Sequence, residues 1–315
     1  MAPAHRVLLL GATGTIGRAT LAALQARGHH VTCALRPGTA PPPGATGLTL
    51  DLSDPQASLG AARFDTLVSC MASRTGAPAD AWAVDHDAHL RALAMAQAAG
   101  VRHVVLLSAI CVQKPLLEFQ RAKLAFEAAL MASGVDWTIV RPTAFFKSLS
   151  GQVARVAAGK PFLVFGDGRL TACKPISDRD LGAYLAECVT DPARKGCILP
   201  IGGPGPAITP LDQAQMLFDL TGQPQRIRRM PLAVMDGIIA TLGAMGRLSP
   251  RVRAKADLAR IGRYYATESM LVWDDSQGRY DPQATPETGH DTLRAHYAAL
   301  LRGEATDDRG AHAVF

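Results

Sequence analysis

Short apolar runs alternate with longer amphipathic stretches through the first half of the chain. The apolar runs are Arg6–Ala12, His30–Arg36, Leu48–Leu52, Thr66–Met71, His103–Ala109 and Thr138–Pro142. Helical periodicity is found between them, over Thr15–Arg27, Ala79–Ala99 and Leu116–Ser133. Strands that are apolar throughout and separated by helices indicate a parallel sheet covered on both faces. We therefore predict an α/β fold of the Rossmann type, with a doubly wound parallel sheet.

The pattern changes in the second half of the chain. Pro161–Gly168 and Cys197–Gly203 resemble strands, and Pro231–Leu248 is apolar with few charges. The latter segment is predicted to be either a buried helix or one face of a binding cavity. We predict a Rossmann-type domain over residues 1–145, with later strands able to return to its sheet. Residues 146–315 are predicted to form mainly a smaller substrate-binding lobe, with ligand in the cleft between the two.

A glycine-rich stretch, GATGTIG, joins the first predicted strand to the first predicted helix. In this context Gly11 permits a tight turn, Gly14 allows close approach of a pyrophosphate, and Gly17 allows the helix to pack closely. Free N–H groups at the start of the helix favour a bound anion. The alternative is a glycine turn without ligand. The predicted cofactor contacts here are Gly11, Thr13, Gly14, Ile16 and Gly17.

The end of the second predicted strand distinguishes between nicotinamide cofactors. An acidic residue there binds the ribose 2′-hydroxyl of NAD, whereas a basic residue suits the 2′-phosphate of NADP. This strand ends in Arg36, and a guanidinium can bind phosphate through two hydrogen bonds. The alternative is a solvated residue at a strand end. The sequence therefore favours NADPH, with Asp51 at the end of the third strand on the adenine side.

Composition excludes several other classes of protein. The 315 residues are 48% hydrophobic and 19% charged, as in a globular protein. The formal net charge is +6, but basic residues form no run of five, so a nucleic-acid partner is not predicted. The excess of positive charge fits an anionic ligand instead.

Six cysteines lie far apart, without a C-x-x-C pair or a Cys/His cluster at metal-ligand spacing. We predict reduced, mostly buried thiols in a cytoplasmic protein, and no metal ligand. The first apolar run is too short for a signal sequence or a membrane span. No transmembrane segment is predicted, while peripheral membrane contact and the oligomeric state stay open.

The glycine spacing GATGTIG and the predicted helix that contains Lys123 together resemble the atypical or extended short-chain dehydrogenase/reductase superfamily. Further blocks, including LLEFQRAKLAFEAAL, FGDGRLTACKPISDRDL and GRYYATESMLVWD, resemble the divinyl chlorophyllide 8-vinyl reductases, from about residue 5 to the final AVF. This resemblance implies NADPH-dependent reduction of the ring-B vinyl group of a divinyl Mg-tetrapyrrole to ethyl, in chlorophyll or bacteriochlorophyll synthesis. Alternatives are another NADPH-dependent double-bond or ether reductase, and a non-catalytic NADP-sensing regulator.

The resemblance also implies roles for residues around the reacting centre. Lys123 would be the catalytic lysine that holds the nicotinamide ribose, the alternative being a solvated helix lysine. Phe119 stands where the superfamily has its tyrosine acid. Ser108 lies in the general region of its catalytic serine and is expected to contact the cofactor. A standard Ser-Tyr-Lys mechanism is therefore not expected, although EFQRAK is normal for the vinyl reductases.

Other positions follow from the expectation that strand ends line the ligand crevice. Pro142, Thr143 and Phe145 are expected to shape the nicotinamide pocket. Phe145 and Phe146 could stack on a flat macrocycle, although paired aromatics at a strand end are as often core. Cationic candidates for the substrate propionate are Lys147, Arg155, Lys174 and Arg263. The predicted substrate contacts are Gln113, Lys114, Phe119, Phe145, Phe146 and Lys147.

Overall fold

Seven parallel strands form the central sheet of the protein. The computed structural model describes residues 4–54, 56–247 and 249–306. The strands are β1 (Arg6–Leu10), β2 (His30–Leu35), β3 (Thr46–Thr49), β4 (Thr66–Ser69), β5 (His103–Leu107), β6 (Asp136–Pro142), β7 (Phe162–Phe165), β8 (Cys197–Ile201), β9 (Ile227–Met230), β10 (Val272–Asp274) and β11 (Arg279–Asp281). The central sheet has the order β3-β2-β1-β4-β5-β6-β8.

Helices connect these strands and cover the sheet. They are α1 (Thr15–Ala26), α2 (Pro78–Ala81), α3 (His89–Ala98), α4 (Glu118–Met131), α5 (Phe146–Leu149), α6 (Val153–Ala157), α7 (Asp178–Cys188), α8 (Pro210–Thr221), α9 (Leu232–Met245), α10 (Pro250–Thr267) and α11 (Leu293–Leu301). A π-helical segment, Trp82–Ala88, joins α2 to α3 without a break. Short 3₁₀ turns occupy Ile110–Gln113, Ser150–Gln152 and Pro192–Arg194.

The strand order confirms the predicted doubly wound fold. From β1 the chain moves outward to β2 and β3, then crosses back to β4 and continues to the other edge. Strand order therefore reverses between β1 and β4. In open parallel sheets ligands bind in the crevice at the carboxyl ends of the strands, where this reversal occurs. The glycine loop follows β1 directly and so lies at this position.

Side chains of β1 alternate between two hydrophobic layers. Val7 and Leu9 pack with residues of α1 and α7, while Leu8 and Leu10 pack with residues of α3 and α4. This period of two is the normal geometry of a strand buried on both faces. It explains why the strand sequences are apolar throughout rather than alternating. The sheet is thereby held rigidly under the ligand crevice.

The second half of the chain contributes both to this sheet and to a smaller lobe. Strand β8 returns to the edge of the central sheet beside β6, and α7 packs against α1. Strands β7 and β9 form a separate parallel pair, and β10 and β11 form an antiparallel hairpin. Their hydrophobic cluster also includes residues of α8, α10 and α11. Residues after 145 therefore complete the dinucleotide-binding sheet as well as the lobe beside it.

The expectation of a buried helix at Pro231–Leu248 is wrong. The helix there is α9, and none of its side chains is buried. It packs mainly against α10, so its remaining surface is open to solvent. Leu248 lies outside the described residues, as does the final AVF. No helix within the described ranges combines the length and apolarity needed to cross a membrane.

Candidate dinucleotide and substrate site

The glycine loop has no room for side chains at two of its three glycines. Gly11 has a φ of +74°, and a Cβ atom there would lie 2.6 Å from the backbone of Cys70, which follows β4. A Cβ atom on Gly17 would lie 2.0 Å from the carbonyl oxygen of Gly11. At Gly14 the closest approach would be 3.3 Å and φ is negative. The loop thus holds α1 tightly over the end of β1, and Gly14 is the glycine that is open to a ligand.

The beginning of α1 is arranged to receive an anion. Its N-cap residue is Gly14, which offers no side-chain acceptor to the first-turn N–H groups. Two cations lie beside this end. The Arg18 guanidinium donates to the carbonyl of Thr13 at 2.9 Å, and the Lys147 ammonium donates to the Thr15 hydroxyl at 2.9 Å. Sequence reasoning missed Arg18, and it assigned Lys147 to the substrate rather than to this loop.

Arg36 and Asp51 follow neighbouring strands at the same edge of the sheet. Arg36 comes directly after β2 and is exposed, and no ion pair to it is found among the described residues. Asp51 follows β3, where the hydroxyl and backbone N–H of Ser53 donate to its carboxylate at 2.6 and 2.9 Å. These hydrogen bonds lower the pKa of Asp51. The basic side chain is therefore the one available to a phosphate group.

Lys123 forms a nearly buried ion pair with Asp85. The distance from Lys123 Nζ to Asp85 Oδ1 is 3.0 Å, and the side chains are 13% and 0% exposed. The alternative of a solvated helix lysine is thereby excluded. The backbone N–H of Ser73, just beyond β4, donates to the same carboxylate oxygen at 3.2 Å. The pair therefore lies at the carboxyl edge of the sheet, close to the reversal of strand order.

Asp85 belongs to the π-helical segment, and sequence reasoning missed it. None of the described residues offers a hydrogen bond to its second carboxylate oxygen, Oδ2, although that atom is buried. His89 lies one turn further on, and burial lowers its pKa to about 4, so it is neutral at pH 7. Lys123 is then the cation that balances Asp85. Buried unsatisfied polar atoms and π-helical turns are both frequent at functional sites.

The Ser108 hydroxyl faces α4. It donates to the carboxylate of Glu127, which is 1% exposed and also accepts from Arg141. This buried network joins the ends of β5 and β6 to the helix that contains Lys123. The hydroxyl hydrogen of Ser108 is thus engaged within the protein. A direct contact of Ser108 with the cofactor stays a prediction.

Residues after β6 divide between the core and the crevice. Thr143 is buried, and its hydroxyl donates to the carbonyl of Lys174. Phe146 is also buried, with its ring centroid 5.4 Å from that of His296, which favours core packing over contact with substrate. Phe145 is partly buried and forms a β-bridge to Ile176. Of the two phenylalanines, Phe145 is the one with surface left for a ligand, next to Pro142.

Gln113 and Lys114 fix the C-terminal hairpin to the crevice. The Gln113 amide bonds the carbonyl of Leu271 at 2.6 Å and the N–H of Trp273 at 2.8 Å. The Lys114 ammonium pairs with Glu268 at 2.7 Å and lies 4.3 Å from the ring centroid of Trp273. Both side chains are therefore engaged in positioning the lobe. Their contact with substrate stays a prediction.

Phe119 is covered by the lobe. Its side chain is 8% exposed and belongs to a hydrophobic cluster that includes Ile261 and Tyr264 of α10. An open groove of about 310 Å³ lies between Pro78 and the connection of α9 to α10. Three arginines that sequence reasoning did not propose line this groove, namely Arg247, Arg253 and Arg260. Within the described residues, no cluster of histidine, cysteine and acidic side chains could hold a metal ion.

Comparison with known proteins agrees with this geometry. The model of an NAD(P)H-binding family matches residues 11–192. An Escherichia coli NADPH-dependent quinone oxidoreductase, solved with NADPH, superposes with a TM-score of 0.67 over 94% of this chain and 99% of its own, at 17% identity. Fold and glycine loop together define a Rossmann-type nicotinamide dinucleotide-binding protein.

Two plant relatives identify the family to which the chain belongs within this class of dinucleotide-binding proteins. The chloroplastic divinyl chlorophyllide a 8-vinyl-reductase of Oryza sativa subsp. indica is 46% identical over 98% of this chain and 82% of its own length. The enzyme of the same name from Zea mays is 44% identical over the same shares. The chain belongs to the divinyl chlorophyllide a 8-vinyl-reductase family. The resemblance of its motifs to these reductases is thereby confirmed.

Proposed function

We propose that the protein reduces the C8 vinyl group of divinyl chlorophyllide a, or of the corresponding protochlorophyllide, to an ethyl group with NADPH. Membership of the reductase family over nearly the whole chain carries this proposal. The crevice also suits a dinucleotide, because the loop at Gly11 and Gly17 excludes side chains and the first turn of α1 is open.

NADPH is proposed over NADH because of Arg36. Its guanidinium is exposed at the end of β2, and Asp51, the acidic residue nearest along this edge, is already hydrogen-bonded to Ser53. An unpaired guanidinium can bind the 2′-phosphate through two hydrogen bonds. Arg18 and Lys147 are proposed to bind the pyrophosphate instead, since both lie at the start of α1.

Replacing Arg36 with alanine is expected to raise KM for NADPH by roughly 10- to 100-fold, the value of one or more hydrogen bonds to a charged group. KM for NADH, which lacks the 2′-phosphate, is expected to change less than about threefold, because it has no charged partner for Arg36. Steady-state kinetics with both cofactors measures the difference. Arg63→Ala, at an exposed arginine that precedes β4 and so lies at the opposite edge of the sheet from the end of β2, is the matched control. Equal losses with both cofactors would contradict the assignment.

In the proposed reaction the main task of the protein is to place the nicotinamide ring against the vinyl group of the substrate. When bound, NADPH supplies a hydride. Asp85 holds the Lys123 ammonium in one position, and Lys123 is proposed to bind the nicotinamide ribose and so to place the reacting carbon against the substrate. Hydride delivered to the terminal vinyl carbon would leave the electron pair of the C=C bond on the inner carbon, from which the negative charge spreads over the macrocycle and its Mg²⁺. A proton from solvent added to the inner carbon would then complete the ethyl group. A ketone reductase concentrates that charge on one oxygen and needs a positioned acid, whereas a delocalised charge does not.

Phe119→Tyr is therefore expected to change kcat by less than about threefold, far below the factor of about 10² or more that a positioned acid contributes. The phenol would lie in the cluster beneath α10, where an unpaired hydroxyl is costly, so the free energy of unfolding should fall by about 1–3 kcal/mol. Turnover and urea unfolding of the purified variant measure the two effects. A large gain in turnover would show that the missing acid limits the reaction.

The activity is tested by absorbance. Adding NADPH and divinyl chlorophyllide a to the protein should shift the Soret band to the blue, with loss of an equal amount of NADPH. A parallel assay with divinyl protochlorophyllide identifies the preferred pigment. Tight binding of NADPH without its oxidation by either pigment would contradict the proposal and favour a sensor that binds dinucleotide without turnover.

A further inference from the structure

Helix α9 presents an apolar surface to solvent. None of its 14 residues is buried, and Val234, Ile238 and Met245 are 43%, 49% and 54% exposed. The helix packs mainly against α10 on one side. Val234, Ile238 and Met245 follow one another at intervals of four and seven residues, so they lie on one side of the helix. An exposed apolar helix face marks a site of contact with another molecule or a membrane.

The positive charge of the chain is concentrated around this helix. Residues 226–255 contain seven basic residues and one acidic residue, while the rest of the chain has equal numbers of each. The acidic residue, Asp236, is paired with Arg263 of α10 at 2.7 Å. The basic residues are all exposed: Arg226, Arg228, Arg229, Arg247, Arg251, Arg253 and Lys255. They precede and follow α9, so its apolar surface is flanked by cations at both ends.

We propose that α9 and its flanking arginines dock on the surface of a lipid bilayer that contains anionic lipids. Apolar side chains inserted among the acyl chains and cations against lipid phosphates are the two components of interfacial binding. At about 1.5 Å per residue, α9 is about 21 Å long, shorter than the roughly 30 Å hydrocarbon core. The helix therefore lies in the interface rather than crossing it.

Charge favours a bilayer over a second copy of the chain. A twofold dimer through α9 would place the same surface on both sides of the interface, and its clustered cations would repel one another. An anionic bilayer neutralises them and covers the exposed side of the helix. The exposed surface of α9 is separate from the glycine loop, and its binding to a membrane does not require that the protein reduce any pigment.

The test is binding of the full chain to sedimented vesicles. Vesicles of phosphatidylcholine alone are compared with vesicles in which part of that lipid is replaced by phosphatidylglycerol. The protein is expected to bind the anionic vesicles selectively, and more weakly as salt is raised. Arg228→Gln with Arg229→Gln should weaken binding by roughly 30-fold, since each basic residue at such a surface contributes about fivefold. Val234→Ser with Ile238→Ser should weaken binding while preserving its dependence on salt.

A matched pair, Arg63→Gln with Arg102→Gln, removes the same charge from exposed positions before β4 and β5. This pair should bind as the unmodified protein does, and unchanged thermal unfolding shows that each variant is folded. Failure of the unmodified protein to bind anionic vesicles would overturn the proposal, as would an equal loss in the matched pair. A lipid-free dimer that Val234→Ser with Ile238→Ser abolishes, without vesicle binding, would assign the surface to a second copy instead.

Discussion

Lys123→Ala is expected to lower kcat/KM by roughly 100-fold, the effect of displacing a reacting group by about 1 Å. The lysine is the proposed partner of the nicotinamide ribose, and its ammonium is held 3.0 Å from the buried Asp85 carboxylate. The free energy of unfolding should also fall, by about 3–5 kcal/mol, because the substitution leaves a buried carboxylate without its cation. Steady-state kinetics and urea unfolding measure the two effects separately.

A second substitution distinguishes catalysis from stability. Combining Lys123→Ala with Asp85→Asn removes both charges, so the double variant should unfold at higher urea concentration than Lys123→Ala alone. Its activity should stay low, because the ribose partner is still absent. Recovery of activity together with stability would mean that Lys123 acts only through the fold. A folded Lys123→Ala variant with activity near that of the unmodified protein would contradict the proposed role.

Gly17→Ala is expected to abolish tight cofactor binding. The added Cβ atom would lie 2.0 Å from the Gly11 carbonyl oxygen and 2.7 Å from its carbon, and neither backbone atom can move independently of the loop. Overpacking of this kind should lower the free energy of unfolding by about 3 kcal/mol. Displacing α1 should weaken the binding of NADPH by roughly 100-fold, since hydrogen bonds to the NADPH phosphates are lost. Fluorescence titration and thermal unfolding provide the measurements.

Two other glycines serve as controls for that experiment. At Gly14 the nearest atom, the Gly11 carbonyl oxygen, would be 3.3 Å away, so Gly14→Ala should cost much less stability than Gly17→Ala while weakening the binding of a pyrophosphate that lies against it. At Gly237, within α9, a Cβ atom would meet nothing within 4 Å. Gly237→Ala should stabilise the helix by about 0.5–1 kcal/mol. If Gly17→Ala bound NADPH as tightly as Gly237→Ala, the packing explanation would be wrong.

The elements that could be predicted from the sequence are those whose hydrophobic pattern is local. Strand β1 and helix α1 lie within the ranges expected from their apolar residues and the glycine loop. The third strand was expected at Leu48–Leu52 but is β3, Thr46–Thr49, because its extent is set by pairing with Thr32 to Leu35 of β2. Pairing between distant segments is invisible in a periodic pattern.

Of the two alternatives predicted for Pro231–Leu248, the buried helix is wrong, because hydrophobicity does not show which surface is covered. The composition of α9 is that of a core helix, yet among the described residues it packs mainly against α10. The partner of Lys123 was equally hidden, since Asp85 lies 38 residues earlier in the chain. Asp85 is one of two acidic residues in the stretch WAVDHDAHLRAL, and nothing in that pattern distinguishes it from Asp87. Only the π-helical turn and the approach of α4 bring the two together.

The most direct test of hydride transfer from NADPH to the vinyl group uses deuterium as a label. The purified protein is given divinyl chlorophyllide a with NADPH that carries deuterium at the transferred position of C4, and the pigment is analysed by mass spectrometry and NMR. Direct hydride transfer to the terminal vinyl carbon predicts one deuterium in the product, on the terminal carbon of the new C8 ethyl group. The second hydrogen is expected to come from solvent. Vinyl reduction without transfer of deuterium, or deuterium on the inner carbon, would contradict direct hydride delivery to a delocalised macrocycle.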